Sequence, residues 1–233
     1  MKTQWQDIVL CGLFIGAILA GSLGVVWIIH PWTVAWFRSY HVLVDAAAAA
    51  IAYGLISSMV VRLMLAIKPM PMQKMSYPLD HPILTYWKLL TLLYRFGRGA
   101  LAWFVPFFAE PLLDALFGAR VGRDVAFGGK IDDPYMVSIG DGVILGNASL
   151  VTGNYIDKGM LVCGTVTIGK GATIGANAIV LPNTTIGEGA TVVSGAVVGP
   201  DAVINAGEVW RGNPARLWTS GKSPGRATPS GDS

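Results

Sequence analysis

Proton transfer near neutral pH is most often the work of histidine, and this chain of 233 residues holds three: His30, His41 and His81. His30 and His41 fall in the aromatic-rich segment HPWTVAWFRSYH, between two apolar runs. His81 ends a proline-punctuated linker, KPMPMQKMSYPLDHP, where it either folds back over the rest of the chain as a base or simply starts a helix. A second group of chemistry-bearing residues sits in TGNYIDKGML: Thr152, Asn154, Tyr155, Asp157 and Lys158. Asp157 is the candidate base there. Tyr155 and Lys158 suit the orientation of an acceptor, because only large pKa shifts would make them bases. Lys170, Arg211 and Arg216 are candidate cations for phosphate groups, and each is otherwise an ordinary solvent-facing charge. Cys11 and Cys163 lie in different halves, so neither a disulfide framework nor a metal-ligand spacing is present. The net charge of +3 comes without a basic stripe interleaved with aromatics, which excludes nucleic acid as an expected partner.

The elements that must position these residues fall into two compositions. Charged residues make up 13% of the chain and hydrophobic ones 53%, too little charge to cover a water-soluble domain of this size. Residues 8–29 are apolar for 22 positions without a charge, long enough to cross a bilayer as a helix. A second run, residues 42–67, carries Asp45 and Arg62 near its ends and small residues in its middle, which favour close helix packing. The two runs predict a transmembrane hairpin over residues 1–68 with its aromatic connection at a headgroup boundary. Lys2, Arg62, Lys68, Lys74 and Lys88 outweigh Arg38 in the connection, so the ends of the hairpin and all that follows are expected in the cytoplasm. Residues 69–118 are read as linker and interfacial helices. Lys88, Arg95 and Arg98 share one face of an apolar segment over residues 83–109, predicting a helix lying on the membrane surface, with a third span as the alternative. A short helix follows over residues 110–117, with Pro111 in its first turn. Residues 219–233, rich in Ser, Gly and Pro, are expected to be disordered.

Between them, residues 119–218 repeat. An aliphatic or aromatic residue recurs at every sixth position: Val162, Ile168, Ile174, Val180, Ile186, Val192, Val198, Ile204, Trp210. A glycine often follows it, and a small residue stands four positions on, as at Ala172, Ala178 and Ala190. The same register occurs earlier at Val121, Phe127, Ile139, Leu145 and Val151, interrupted by Asp133. Each hexad reads as a short strand and a corner, and three hexads close one triangular coil of a parallel β-helix with the aliphatic residues stacked inside. Val151 and Val162 are eleven residues apart, so the register slips across TGNYIDKGML, where a projecting loop is expected.

This repeat, with its closing segment Trp210-Arg211-Gly212-Asn213-Pro214-Ala215-Arg216, resembles the hexapeptide-repeat acyltransferase superfamily over about 95 residues. The apolar helices, ALFGARVGRDV, DDP, IGDG and WRGNPARLW resemble more narrowly the membrane-associated branch found at the C-terminus of some nonribosomal peptide synthetases. The resemblance implies a mainly β, left-handed parallel β-helix, a homotrimer, and acetyl-CoA or another acyl-CoA as co-substrate for O- or N-acyl transfer. It places the anchored enzyme in the membrane, here a bacterial inner membrane. It also implies a catalytic His on a coil, near Gly153 or Asn154 in the narrower branch, and no histidine occurs anywhere in residues 119–218. Either another base serves, Asp157 or His81, or the trimer is a noncatalytic scaffold at the membrane. Zinc-dependent relatives of the fold, which ligate metal through three His, are excluded by the same absence.

Overall fold

The computed structural model describes residues 5–70, 74–106 and 109–218; Lys2 and the tail at 219–233 lie outside them. Helix α1 (Trp5–Phe37) runs through Pro31, turns over a 3-10 segment at Arg38–Tyr40, and returns as α2 (His41–Ile67). The aromatic connection expected between two shorter helices is therefore only three residues long, because the helix continues well past Ile29. The two helices pack side by side, with Gly21 against Ile56. Near the turn, Asp45 accepts from Thr33 Oγ1 at 2.7 Å and pairs with His30 Nδ1 at 2.8 Å. Among the described residues, the helical run Trp5–Ile67 is the one long and apolar enough to cross a membrane, and only 11% of its most apolar stretch is buried inside the protein.

Helix α3 (Ile83–Ala102) lies along this pair rather than on a surface of its own. Its start is tied to α1, where Thr85 and Lys88 reach the two oxygens of Asp7 at 2.5 and 2.6 Å. Further along, a β-carbon on Gly97 would meet Ser57 Cβ at 2.6 Å, and one on Gly54 would meet Leu101 Cγ at 2.3 Å, so glycine alone permits this approach. One apolar stripe of α3 is covered by protein: Leu89, Leu90, Leu93 and Tyr94 are buried with Phe117, Met136 and Leu161. Helix α4 (Glu110–Leu116) brings the chain back, and Arg62 of α2 donates to its last carbonyls at Ala115 and Leu116. Helix α3 thus starts at the open end of the α1–α2 pair, beside Asp7, and ends beside Gly54, midway along α2.

From Arg120 onward the chain forms a left-handed β-solenoid of three parallel sheets with five, six and four strands, the six-stranded one closed by an antiparallel pair, Val209–Arg211 with Arg216–Leu217. The coil length is eighteen residues: Ile168 pairs with Ile186, Ile174 with Val192 and Val180 with Val198. Ile139, Ile168, Ile186 and Ile204 stack in one corner of the core, each nearly inaccessible. Burial of this kind stabilises by about 1.5–3 kcal/mol per side chain, which is why the hexad is so regular. Where a glycine follows the aliphatic residue it has a local cause, since a β-carbon on Gly175 would lie 2.3 Å from the backbone nitrogen of Ser194 in the next coil. Asn177, at positive φ, is a corner residue.

Two departures from the hexad shape the functional half of the molecule. In the first coil Ile131, not residue 133, takes the core position beside Val151, and a 3-10 turn at Pro134–Met136 makes up the length. Asp133 is thereby turned out of the core in a left-handed conformation, φ 57° and ψ 64°, which Asp tolerates better than most residues. The second departure is the expected loop. It is a β-hairpin, Asn154–Asp157 with Met160–Cys163, to which the linker adds a third strand, Met75–Pro78. Val162 belongs to this hairpin and is not a coil position; the solenoid resumes at Val166–Ile168, paired with Val137–Ile139.

Candidate functional site

The two departures meet beside α3, where Asn154 Nδ2 donates to Asp133 Oδ2. Between them and α3 lies a cleft of 480 Å³, walled by Trp87, Thr91 and Arg95 of α3, by Asp132, Asp133, Thr152, Asn154 and Tyr155, and by the outward Leu150, Ile179 and Leu181 of one solenoid sheet. Trp87, Thr91 and Arg95 reach it together because spacings of four place them on one helical face.

Asp133 is the centre of this wall. It is 2% exposed, yet its carboxylate gathers donors from three elements. Oδ1 accepts from Tyr135 OH at 2.8 Å, Trp87 Nε1 at 3.2 Å and Thr91 Oγ1 at 3.3 Å. Oδ2 accepts from Asn154 Nδ2 and, at 3.3 Å, from Trp87. Burial pushes the carboxyl above the ordinary carboxylate range, and the donors from Tyr135, Asn154 and Trp87 oppose that rise. The same burial raises the Tyr135 phenol, so it stays a donor, and pushes the Cys163 thiol up to about 12. Thr152 braces the start of the hairpin by donating to Asn154 O at 2.9 Å. Arg95 bounds the other end of the cleft, its side chain 58% exposed and 3.6 Å from Asp132.

Of the residues singled out by sequence, the structure brings Thr152, Asn154 and Tyr155 into the cleft. Asp157 and Lys158 do not reach it. They form the exposed tip of the hairpin, where Lys158 and Gly159 take the positive φ values of a tight turn. His81 stays at the start of α3, where Nδ1 accepts from the Ile83 N–H at 3.2 Å and the ring lies 4.9 Å from Tyr77. Lys170 is an exposed corner residue, whereas Arg211 and Arg216 pair across the last strands, with Arg211 over the Trp218 ring at 5.1 Å. These three cations do not converge on one point. Asp133, Trp87 and Thr91 were not singled out. The signal for Asp133 was present, an acid at a hexad position where an aliphatic residue belongs.

The fold is that of the hexapeptide-repeat solenoids. Residues 165–200 match the bacterial transferase hexapeptide family (six repeats). No curated protein matches the chain. Among solved structures, one similar chain is a hexapeptide-repeat acetyltransferase from Vibrio cholerae complexed with acetyl coenzyme A, 22% identical, covering 46% of this chain and 62% of that one, with a TM-score of 0.41. The match thus spans under two thirds of that relative. A galactoside acetyltransferase in complex with coenzyme A is 20% identical over 57% of this chain and 81% of that one, with a TM-score of 0.48. A maltose O-acetyltransferase from Clostridium difficile 630 is 21% identical over 68% and 95%, with a TM-score of 0.39.

Proposed function

We propose that this protein is a membrane-anchored acyltransferase that moves an acyl group, acetyl in the first instance, from coenzyme A to a hydroxyl or amine held in the cleft between α3 and the solenoid. The observation that carries the reading is the position of the cleft: it opens at the register break of a transferase-type solenoid, with a buried carboxylate on its wall. The hairpin Trp5–Ile67 is the anchor. Arg62, Lys68 and Lys88 stand at its open end, and under the positive-inside rule this reading has the solenoid on the cytoplasmic side of a bacterial inner membrane. Three copies packed through their solenoids would set three hairpins side by side. This anchored arrangement is the one implied by the narrower resemblance to the synthetase-associated branch.

In this reading Asp133 is the proton acceptor. The acceptor oxygen or nitrogen attacks the thioester carbonyl, its proton passes to Asp133, the carbon–sulfur bond breaks, and the proton is returned to the departing thiolate. A carboxyl raised by burial is better matched to this task than an exposed one. Asn154 orients the acceptor, its amide fixed by Asp133. Asp157 and His81 would enter only through movement of the hairpin or the linker. Coenzyme A would supply the activated acyl group, with Lys170, Arg211 or Arg216 as cations for its phosphates. The fit is loose, because they stand apart, and backbone groups along the coils must carry most of the contact. The test is binding and transfer with acetyl-CoA by the full chain in detergent: retention of the nucleotide and loss of transfer in D133N support the reading, and absence of binding overturns it. A noncatalytic scaffold is the second reading. It is favoured by one observation, that both oxygens of Asp133 already hold donors, and it predicts no nucleotide binding at all.

A further inference from the structure

The cleft does not end at Arg95. A second cavity, 570 Å³ and apolar, lies on the hairpin side of the same side chain, between Ile15 and Leu19 of α1, Tyr53 of α2, and Phe96, Gly99 and Trp103 of α3. A third, of 200 Å³, lies against Tyr94, Arg95, Arg98, Gly99 and Lys130. Arg95 lines all three. Thr91, Arg95, Gly99 and Trp103 recur every fourth residue, and because each step of four turns the direction by about 40° they trace a stripe that winds about 120° around α3 while rising about 18 Å from Thr91 to Trp103.

We infer that these three cavities, which meet at Arg95, form one path that binds a lipid with a phosphate-linked, hydroxyl- or amine-bearing headgroup, and that this lipid is the acceptor. Its chain lies in the apolar cavity beside the hairpin, its phosphate meets Arg95, and its headgroup enters the cleft beside Asp133 and Asn154. The charge balance fits. Arg98 is committed to Asp114 at 2.9 Å and Glu110 at 3.0 Å, whereas Arg95 has a single distant carboxylate, Asp132 at 3.6 Å, which it shares with Lys130 at 2.9 Å. A phosphate can therefore take Arg95 and Lys130 in place of Asp132. Trp103, 90% exposed at the outer end, marks where the path opens toward the bilayer. Gly99 is the position at which the path can be closed without disturbing the fold, since a β-carbon there meets nothing within 4 Å.

The inference rests on the acyltransferase reading for the fate of the headgroup, but binding can be measured without it. The full chain is purified in a maltoside detergent, and retained lipid is counted by native mass spectrometry after adding phosphatidylglycerol, diacylglycerol of the same chains, or glycerol phosphate. Phosphatidylglycerol should be retained by the wild type, and its affinity should fall about tenfold or more in R95Q and in G99F. Diacylglycerol should be retained poorly, and glycerol phosphate should not compete. Equal retention by both variants overturns the inference, as does diacylglycerol bound as well as the phospholipid. Competition by glycerol phosphate would show a free-phosphate site and would also overturn it. Lipid retained by a protein that neither binds acetyl-CoA nor transfers from it leaves the site standing and removes the acyltransferase reading instead.

Discussion

Asp133→Asn is the substitution on which the description of the cleft depends most. Asn tolerates the left-handed backbone of position 133, so the change is one of hydrogen bonding and charge. Its carbonyl oxygen can still face Tyr135, Trp87 and Thr91. Its NH2 group must then face Asn154 Nδ2, donor against donor. Losing one charge-assisted bond costs about 1.5–3 kcal/mol, and leaving the Asn154 amide unpaired adds about 1–3 kcal/mol. Relief from burying a charge returns part of this. A net loss of about 2–3 kcal/mol follows, which for a chain of this length lowers the melting temperature by about 5–10 °C. The assay is thermal unfolding in detergent followed by tryptophan fluorescence, with Trp87 itself a reporter. The exchange D133N/N154D restores one carboxylate facing one amide and should recover at least half the loss. A melting temperature within about 1 °C of wild type for D133N, or a double variant no better than the single, would refute the network as the tie between α3, the first coil and the hairpin.

Gly54→Ala should destabilise by about 1–3 kcal/mol, since the new methyl meets Leu101 Cγ at 2.3 Å, and should cost nothing further in an L101A background. Cys163, buried and with its thiol pushed up to about 12, should resist maleimide at pH 8 in a C11S background until denaturant is added. Asp201, held below its ordinary value of 3.8 by Lys74 and Asn183, contributes stability that is present above that value and lost as pH falls through the folded one. Hydrogen exchange of Met75–Pro78, corrected for intrinsic rates, should therefore accelerate as pH drops below about 4, and D201N should abolish that dependence.

The solenoid was legible because its core is written once per hexad, and a stacked Ile168, Ile186 and Ile204 leaves no other reading of the spacing. What the spacing misread lies at its two breaks. Val162 keeps the six-residue interval to Ile168 while sitting in a hairpin strand, because periodicity alone cannot distinguish a coil position from an antiparallel strand of the same parity. The interruption at Asp133 was legible, but not its resolution: the chain reaches the core two residues sooner, at Ile131. The resulting outward carboxylate could not be paired from sequence, since its donors come from positions 87, 91, 135 and 154, on three separate elements. Helix α3 shows the same limit. Its amphipathic spacing says that one face is covered, while its close approach to α2 depends on Gly54 and Gly97, which the spacing does not single out.

The most direct measurement is transfer itself. The full chain in maltoside detergent, given radiolabelled acetyl-CoA and phosphatidylglycerol, is extracted into organic solvent and counted. Label is expected in an ester of the lipid headgroup, at least about 100-fold less in D133N, which lacks the proton acceptor, with a clear loss in G99F. Label absent from the lipid, together with no retention of acetyl-CoA on equilibrium dialysis, would contradict it and leave a membrane-bound scaffold in its place.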